Sequence, residues 1–241
     1  MTTLCLDFGN TRLKAAIFDA DNFVKEIILE NDGIYTIGKL IAEYEPKKAI
    51  LASVINHDQE IEALLANATQ FHKISYRTRL NFSTPVGKPE TIGADRLALA
   101  AAAVHFYPGK NNLVIGLGSC ITYNFINQAH EFLGGGISPG LDMRFKALQT
   151  FTAKLPLIQP EWNFPLIGYD TKTNIQSGVI DGMGFEIAGF IESYEKRYGN
   201  FNVVLTGGNS LYFARRLKKE IFADSNFLFK GLYALSETNN S

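Results

Sequence analysis

Apolar and polar positions alternate from the start of the chain. Leu4, Cys5 and Leu6 form a short buried-type run, and Leu13, Ala15 and Ile17 alternate with Lys14, Ala16 and Phe18. This period of two predicts two strands joined by a tight turn. Phe23 to Leu29 continues as a third strand, after which Ile37, Leu40, Ile41 and Tyr44 switch to helical spacing over 34–44. Residues 48–54 predict a buried strand, 58–69 an amphipathic helix with Ile61, Leu64, Leu65 and Ala68 on one face, and 71–76 a further strand. Such alternation predicts an α/β fold whose strands share one sheet. A polar loop over 77–92, long enough to be functional, leads to a strongly apolar helix through Leu97, Leu99, Ala100, Ala103 and Val104.

The opening pattern then returns. Leu113 to Leu117 and Ile121 to Ile126 flank Gly118-Ser119, and laid over Thr3 to Asp19 they put Gly118 on Gly9, Ser119 on Asn10 and Thr122 near Leu13. Gly116 stands where Asp7 does. The repeat predicts two similar halves, 1–110 and 111–241, each opening on a hairpin, although short apolar-Gly-apolar similarity also arises by chance. Residues 131–140 complete the second meander and enter a helix carrying Leu141, Phe145 and Leu148, and 154–173 make a surface excursion containing Trp162. A long helix follows to Tyr198, with Gly178, Gly182, Gly184 and Gly189 placed to admit another helix of the same subunit or of a second copy. Phe201 to Leu205 predicts a strand ending in Thr206-Gly207-Gly208-Asn209, with Asn209 capping a helix over 210–220 and a polar, frayed tail from Ser236.

Composition narrows the classes. With 241 residues, 46% hydrophobic content and a net charge of −1, the chain can bury a large core and has no electrostatic case for nucleic acid or a membrane surface. Two cysteines cannot build a disulfide framework, and no run is long and apolar enough to span a bilayer. The expectation is a cytoplasmic protein whose partners are small molecules or another copy of itself.

The residues with chemistry lie in the turns. In Asp7-Phe8-Gly9-Asn10-Thr11-Arg12-Leu13-Lys14, Gly9 admits an anion close to the backbone, Asn10 and Thr11 offer short polar groups and N–H donors, and Lys14 supplies charge. A carboxylate beside phosphates needs a divalent cation between them, so Asp7 points to magnesium. The same octapeptide reads equally as an Asn-Thr hairpin turn with a solvated lysine. Gly93-Ala94-Asp95-Arg96 opens the apolar helix; Asp95 either caps it or accepts a hydroxyl proton, and Arg96 is either a surface charge or a fork for a substrate carboxylate or phosphate. Gly207 and Gly208, delivered by a strand to a helix start, form a weak nucleotide-binding signal.

Taken in order, Asp-x-Gly-Asn-Thr-x-x-Lys at 7–14, Gly-Ala-Asp-Arg at 93–96, the second glycine turn at 116–122, Gly-Gly-x-Ile-x-Pro-Gly at 134–140, Gln-Ser-Gly at 176–178 and Thr-Gly-Gly at 206–208 resemble type III pantothenate kinase over nearly the whole chain. The resemblance implies the actin-like ATPase (ribonuclease H-like) fold in two halves, mixed sheets with flanking helices, a homodimer, and ATP-dependent phosphorylation of pantothenate, the first step towards coenzyme A. It implies that residues 7–14 bind the ATP phosphates and magnesium, that Asp95 accepts the proton, and that Gly93, Ala94, Asp95 and Arg96 contact pantothenate. It further places Ser119, Gly207 and Gly208 near ATP and Thr171 on the substrate. Two positions depart from the family. Gly116 replaces an acidic ligand of a monovalent cation, K+ or NH4+, and Val86 stands where many relatives have a substrate-lining Tyr. A relative that binds without turnover, or a kinase of the same fold with another acceptor, stays open at this point.

Overall fold

The opening alternation folds as an antiparallel meander: β1 (Thr2–Phe8), β2 (Leu13–Asp19) and β3 (Asn22–Leu29). The computed structural model describes residues 1–217 and 221–240. β1 also pairs in parallel with β4 (Lys48–Ser53), and β4 with β5 (Gln70–Lys73), giving a five-stranded sheet of order β3-β2-β1-β4-β5. The central strands β1 and β4 are apolar on both faces, so Leu4, Cys5, Leu6, Ala49, Ile50 and Leu51 are fully buried. Helix α1 (Ile34–Tyr44) and helix α2 (Glu60–Ala68) cover one face, where Ile37, Leu40, Ile61 and Leu65 pack with Leu4, Leu6 and Leu51.

Helix α3 (Ala94–Phe106) and helix α8 (Phe227–Asn239) pack against β4 from within the same unit. Alanines at 98 and 100–103 leave the backbone of α3 bare, and Gly231 on α8 comes so close that a Cβ there would overlap the Ala98 carbonyl oxygen. Gly231→Ala should therefore lower stability by about 1–3 kcal/mol, the usual cost of overpacking a rigid contact. Urea unfolding followed by circular dichroism measures it; an unchanged midpoint would contradict the close approach.

The second sheet repeats the first. Its strands are β6 (Asn112–Leu117), β7 (Cys120–Ile126), β8 (Phe132–Pro139), β9 (Asn202–Thr206) and β10 (Phe222–Ala223), in the order β10-β9-β6-β7-β8. Read from β8, this is the order of the first sheet strand for strand. In both, the first strand pairs in parallel with the fourth, and Asp7 lies opposite Ala52 as Gly116 lies opposite Thr206. Helices α4 (Leu141–Thr150), α5 (Thr171–Gln176), α6 (Gly182–Tyr198) and α7 (Ser210–Arg216) accompany it.

Three expectations change. The long helix up to Tyr198 is broken by a π-helical turn at Ser177–Asp181, and an added Cβ at Gly178, Gly182 or Gly189 would meet no described atom within 4 Å. Among the described residues, the stripe meets another helix at Gly184, where a Cβ would lie 3.9 Å from the Phe213 ring on α7. Asn209 makes no side-chain cap on α7; of the helix expected over 210–220, residues 218–220 lie outside the described residues. The tail is not frayed, because Ser236 and Asn240 are buried and Asn240 Nδ2 donates to the Ala49 carbonyl at 2.6 Å and to that of Gln70. Two compact units result, one of Met1–Lys110, Asn124–Gly134 and Asn226–Ser241, the other of Asn111–Tyr123 and Gly135–Ser225. Helix α8 belongs to the first.

Candidate functional site

The turn after β1 is closed by Gly9 N–H donating to the Arg12 carbonyl at 3.2 Å, leaving Asn10, Thr11 and Arg12 exposed. A Cβ at Gly9 would lie 3.2 Å from that carbonyl oxygen, so glycine keeps the turn tight. Gly9 to Leu13 line a pocket of about 330 Å³ together with Ile28, Leu29, Glu30 and Ile55. Phe8 is buried in the core and Leu13 packs partly against it, so both can offer a ligand only their backbone.

Asp7 sits opposite Lys14 in the β1–β2 ladder. Burial, then the charge of Asp95, push its carboxyl up to about 7, with Lys14 opposing and Glu26 adding to the shift. Asp95 is raised as well, chiefly by burial, against the backbone N–H and the charge of Arg96. The structure therefore brings two carboxylates from distant sequence positions into mutual repulsion beside the glycine turn. The N-cap of α3 is Gly93, and no side chain caps it. Asp95 folds back instead, its Oδ1 2.5 Å from where a Gly93 Cβ would stand, with Val54 Cγ1 at 3.9 Å from the same point. Ala94 is the buried first residue of the helix.

Arg96 Nε donates to Oδ1 of the fully buried Asn124 at 2.7 Å, and its guanidinium lies 5.4 Å from the Phe132 ring. Asn124 was not singled out from the sequence, where it is one more residue in an apolar strand. Glu26 was missed too. It accepts from Lys14 Nζ at 2.9 Å, so the lysine expected to face phosphates is held by a carboxylate on β3. The signal lay in the register: Lys14 is opposite Ile28, two residues from Glu26 on the same sheet face. Val86 is partly buried in a loop tied to the β8 strand by Ser83 N–H to His130 O at 2.9 Å and Phe132 N–H to Ser83 O at 2.8 Å. Its Cγ2 lies 3.8 Å from the Cβ position of Gly134.

The remaining candidates belong to the second unit. Its turn is two residues shorter than the first, closed by Gly118 N–H to Cys120 O at 3.1 Å, and the carbonyl of Ser119 accepts from Gly140 N–H at 3.0 Å. Gly207 has φ +96°, and a Cβ there would overlap the Leu117 carbonyl, so this glycine serves the approach of two chain segments. Gly208 leaves open space. Thr171 is the exposed first residue of α5, behind an Asp170 cap that accepts Thr173 N–H at 2.7 Å. Among the described residues no three His, Cys, Asp or Glu side chains gather as a metal site, and no helix is long and apolar enough to cross a membrane.

A five-stranded topology used twice, with a glycine turn after the first strand of each copy, defines the actin-like ATPase class to which sugar kinases also belong. Solved structures agree on the fold. A protein from Campylobacter jejuni described as a conserved Baf family transcriptional activator superposes with a TM-score of 0.64 at 22% identity, covering 98% of both chains. One from Sinorhizobium meliloti described as a 2-dehydro-3-deoxygalactonokinase gives 0.60 at 15% identity, again over 98% of both. The chain belongs to the type III pantothenate kinase family, whose sequence model matches residues 3–193. Relatives bearing that name are 40% identical in Christiangramia forsetii, over 99% of each chain, and 39% identical in Bacteroides fragilis, over 98% of each.

Proposed function

We propose that this chain transfers the γ-phosphoryl group of ATP to the primary hydroxyl of pantothenate. The observation that carries the reading is the Asp7–Asp95 pair beside the Gly9 turn. A cation suits that pair, since two buried carboxylates that repel one another are stabilised by positive charge between them. Magnesium, bound with ATP, offsets charge on the transferring phosphoryl group. Backbone N–H groups of Asn10 and Thr11 face the phosphates. Lys14 adds charge there, steadied by Glu26. Burial makes Asp95 a stronger base than a surface aspartate, so it takes the hydroxyl proton. Arg96, fixed by Asn124, forks to the acceptor's carboxylate. Ser119 and Gly208 serve the nucleotide and Thr171 the acceptor; Gly207 acts through the backbone.

Gly116 supplies no side-chain ligand for K+ or NH4+, so turnover should respond little to potassium. Gly116→Asp should introduce a potassium response of severalfold. Coupled assay of ATP-dependent pantothenate phosphorylation, with and without potassium, tests both. Absence of turnover in both proteins, with folding intact, would overturn the pantothenate reading and favour another acceptor or a binding role.

A homodimer also follows. The second unit exposes Phe151, Ile167 and Tyr169 at more than 80% of their surface; covering these is a reason for a second copy. Cys5 and Cys120 are free thiols, in keeping with a cytoplasmic protein.

A further inference from the structure

One polar chain beside the site has no part in the chemistry above. Ser53 Oγ and His57 Nδ1 are 2.8 Å apart, His57 Nε2 and Glu62 Oε1 2.8 Å apart, and Lys73 Nζ donates to the same Oε1 at 2.7 Å. The His57 side chain is 4% exposed, and its ring meets Phe8 edge-on with centroids 5.6 Å apart. The grouping resembles a nucleophile triad, yet Ser53 Oγ donates to the Ile55 carbonyl at 3.0 Å rather than waiting for a substrate. Its hydroxyl is spent on shaping the loop after β4.

That loop touches both halves of the proposed chemistry. Val54 N–H donates to the Phe8 carbonyl at 3.0 Å, extending the β1–β4 ladder to the residue before Gly9. Val54 Cγ1 reaches the Gly93 corner on which Asp95 folds. Ile55 walls the pocket lined by Gly9 to Leu13. Three consecutive residues therefore span from phosphate turn to Asp95, and one imidazole, held from α2 and β5 through Glu62 and Lys73, fixes their backbone.

We propose that His57 is a positioning residue for phosphoryl transfer, setting the glycine turn in register with Asp95 through the loop 53–55. The inference rests on the proposed kinase reading, and its test has an arm independent of the acceptor. Calorimetric titration with MgATP should show His57→Ala binding about tenfold more weakly, the scale of a buried hydrogen bond left unmade. In the pantothenate assay the same variant should lose more than tenfold in kcat, because small misplacements of reacting groups are costly. His57→Asn, whose amide can occupy the place of Nδ1 and keep the Ser53 bond, should recover most of both. Leu40→Ala, on α1 and outside the loop 53–55, serves as a stability control: it should lower the melting temperature with kcat and MgATP affinity unchanged. Should His57→Ala fail to fold, Glu62→Gln carries the same expectation at about threefold, one modest hydrogen bond. Titration and kcat for both His57→Ala and Glu62→Gln equal to the unmodified protein would overturn the inference. No pantothenate turnover together with weakened MgATP binding in His57→Ala would sink the acceptor assignment alone; a protein that binds no MgATP would sink both.

Discussion

An Asp95→Asn protein should bind ATP and pantothenate nearly as well as the unmodified chain and turn them over roughly 10²–10⁴-fold more slowly, the range ascribed to general-base catalysis. The carboxamide has almost the same shape and keeps an oxygen to accept the Arg96 N–H, so the start of α3 is undisturbed. What it loses is the basicity that burial raised. The loss should fall on kcat with KM little changed, the pattern of an interaction made in the transition state. A second effect follows from the coupling of the two carboxylates. With the negative charge of Asp95 gone, one cause of the upward push on Asp7 is removed, so Asp7 should ionise at lower pH. MgATP titrations across pH in the variant should show binding extended to more acidic solution. Unchanged kcat in Asp95→Asn would remove Asp95 from the chemistry.

Asp7→Asn should have opposite effects on function and on stability. The folded protein holds the Asp7 proton up to about pH 7, whereas an ordinary aspartate releases it near 3.8. Because the folded pKa is raised, the contribution to stability is complete below the unfolded pKa and is lost as pH rises from about 4 through 7. Above that window the metal-free protein carries an ionised, crowded carboxylate at a cost. Scanning calorimetry in EDTA should find Asp7→Asn more stable than the unmodified protein at pH 8, with the gap closing towards pH 5. The same variant should lose magnesium-dependent ATP binding and turnover by 10²-fold or more, on the order of removing a preorganised electrostatic contact. Equal melting temperatures at pH 8 would mean that Asp7 is not the burdened group.

Much of this was readable in the residues because it is local. Buried-type apolar runs marked β1 and β6, a period of two marked β2, helical spacing marked α1 with its observed ends, and the returning glycine turn marked the duplication, which the two matching strand orders show. The motif order carried the family. What escaped was non-local or invisible to pattern. Glu26 holds Lys14 only through a strand register that no single segment encodes. Asn124 reaches Arg96 from an apolar strand in which an Asn looks incidental. The π-helical turn at Ser177–Asp181 adds one residue per turn without any change in composition, so it read as unbroken helix. The polar end of the chain looked like a tail because Asn239 and Asn240 bond backbone groups far away in sequence.

That last helix inverts the order of making and the order of folding. Strands β1 to β5 and both proposed carboxylates are synthesised first, but α8, which packs on β1, β4 and α3, follows only after the whole second unit has been made. A nascent first unit thus has a bare apolar face where Ala98 and its neighbours await Gly231. A ribosome-bound intermediate of this protein has both proposed carboxylates in hand, while the core beneath them stays open until α8 arrives.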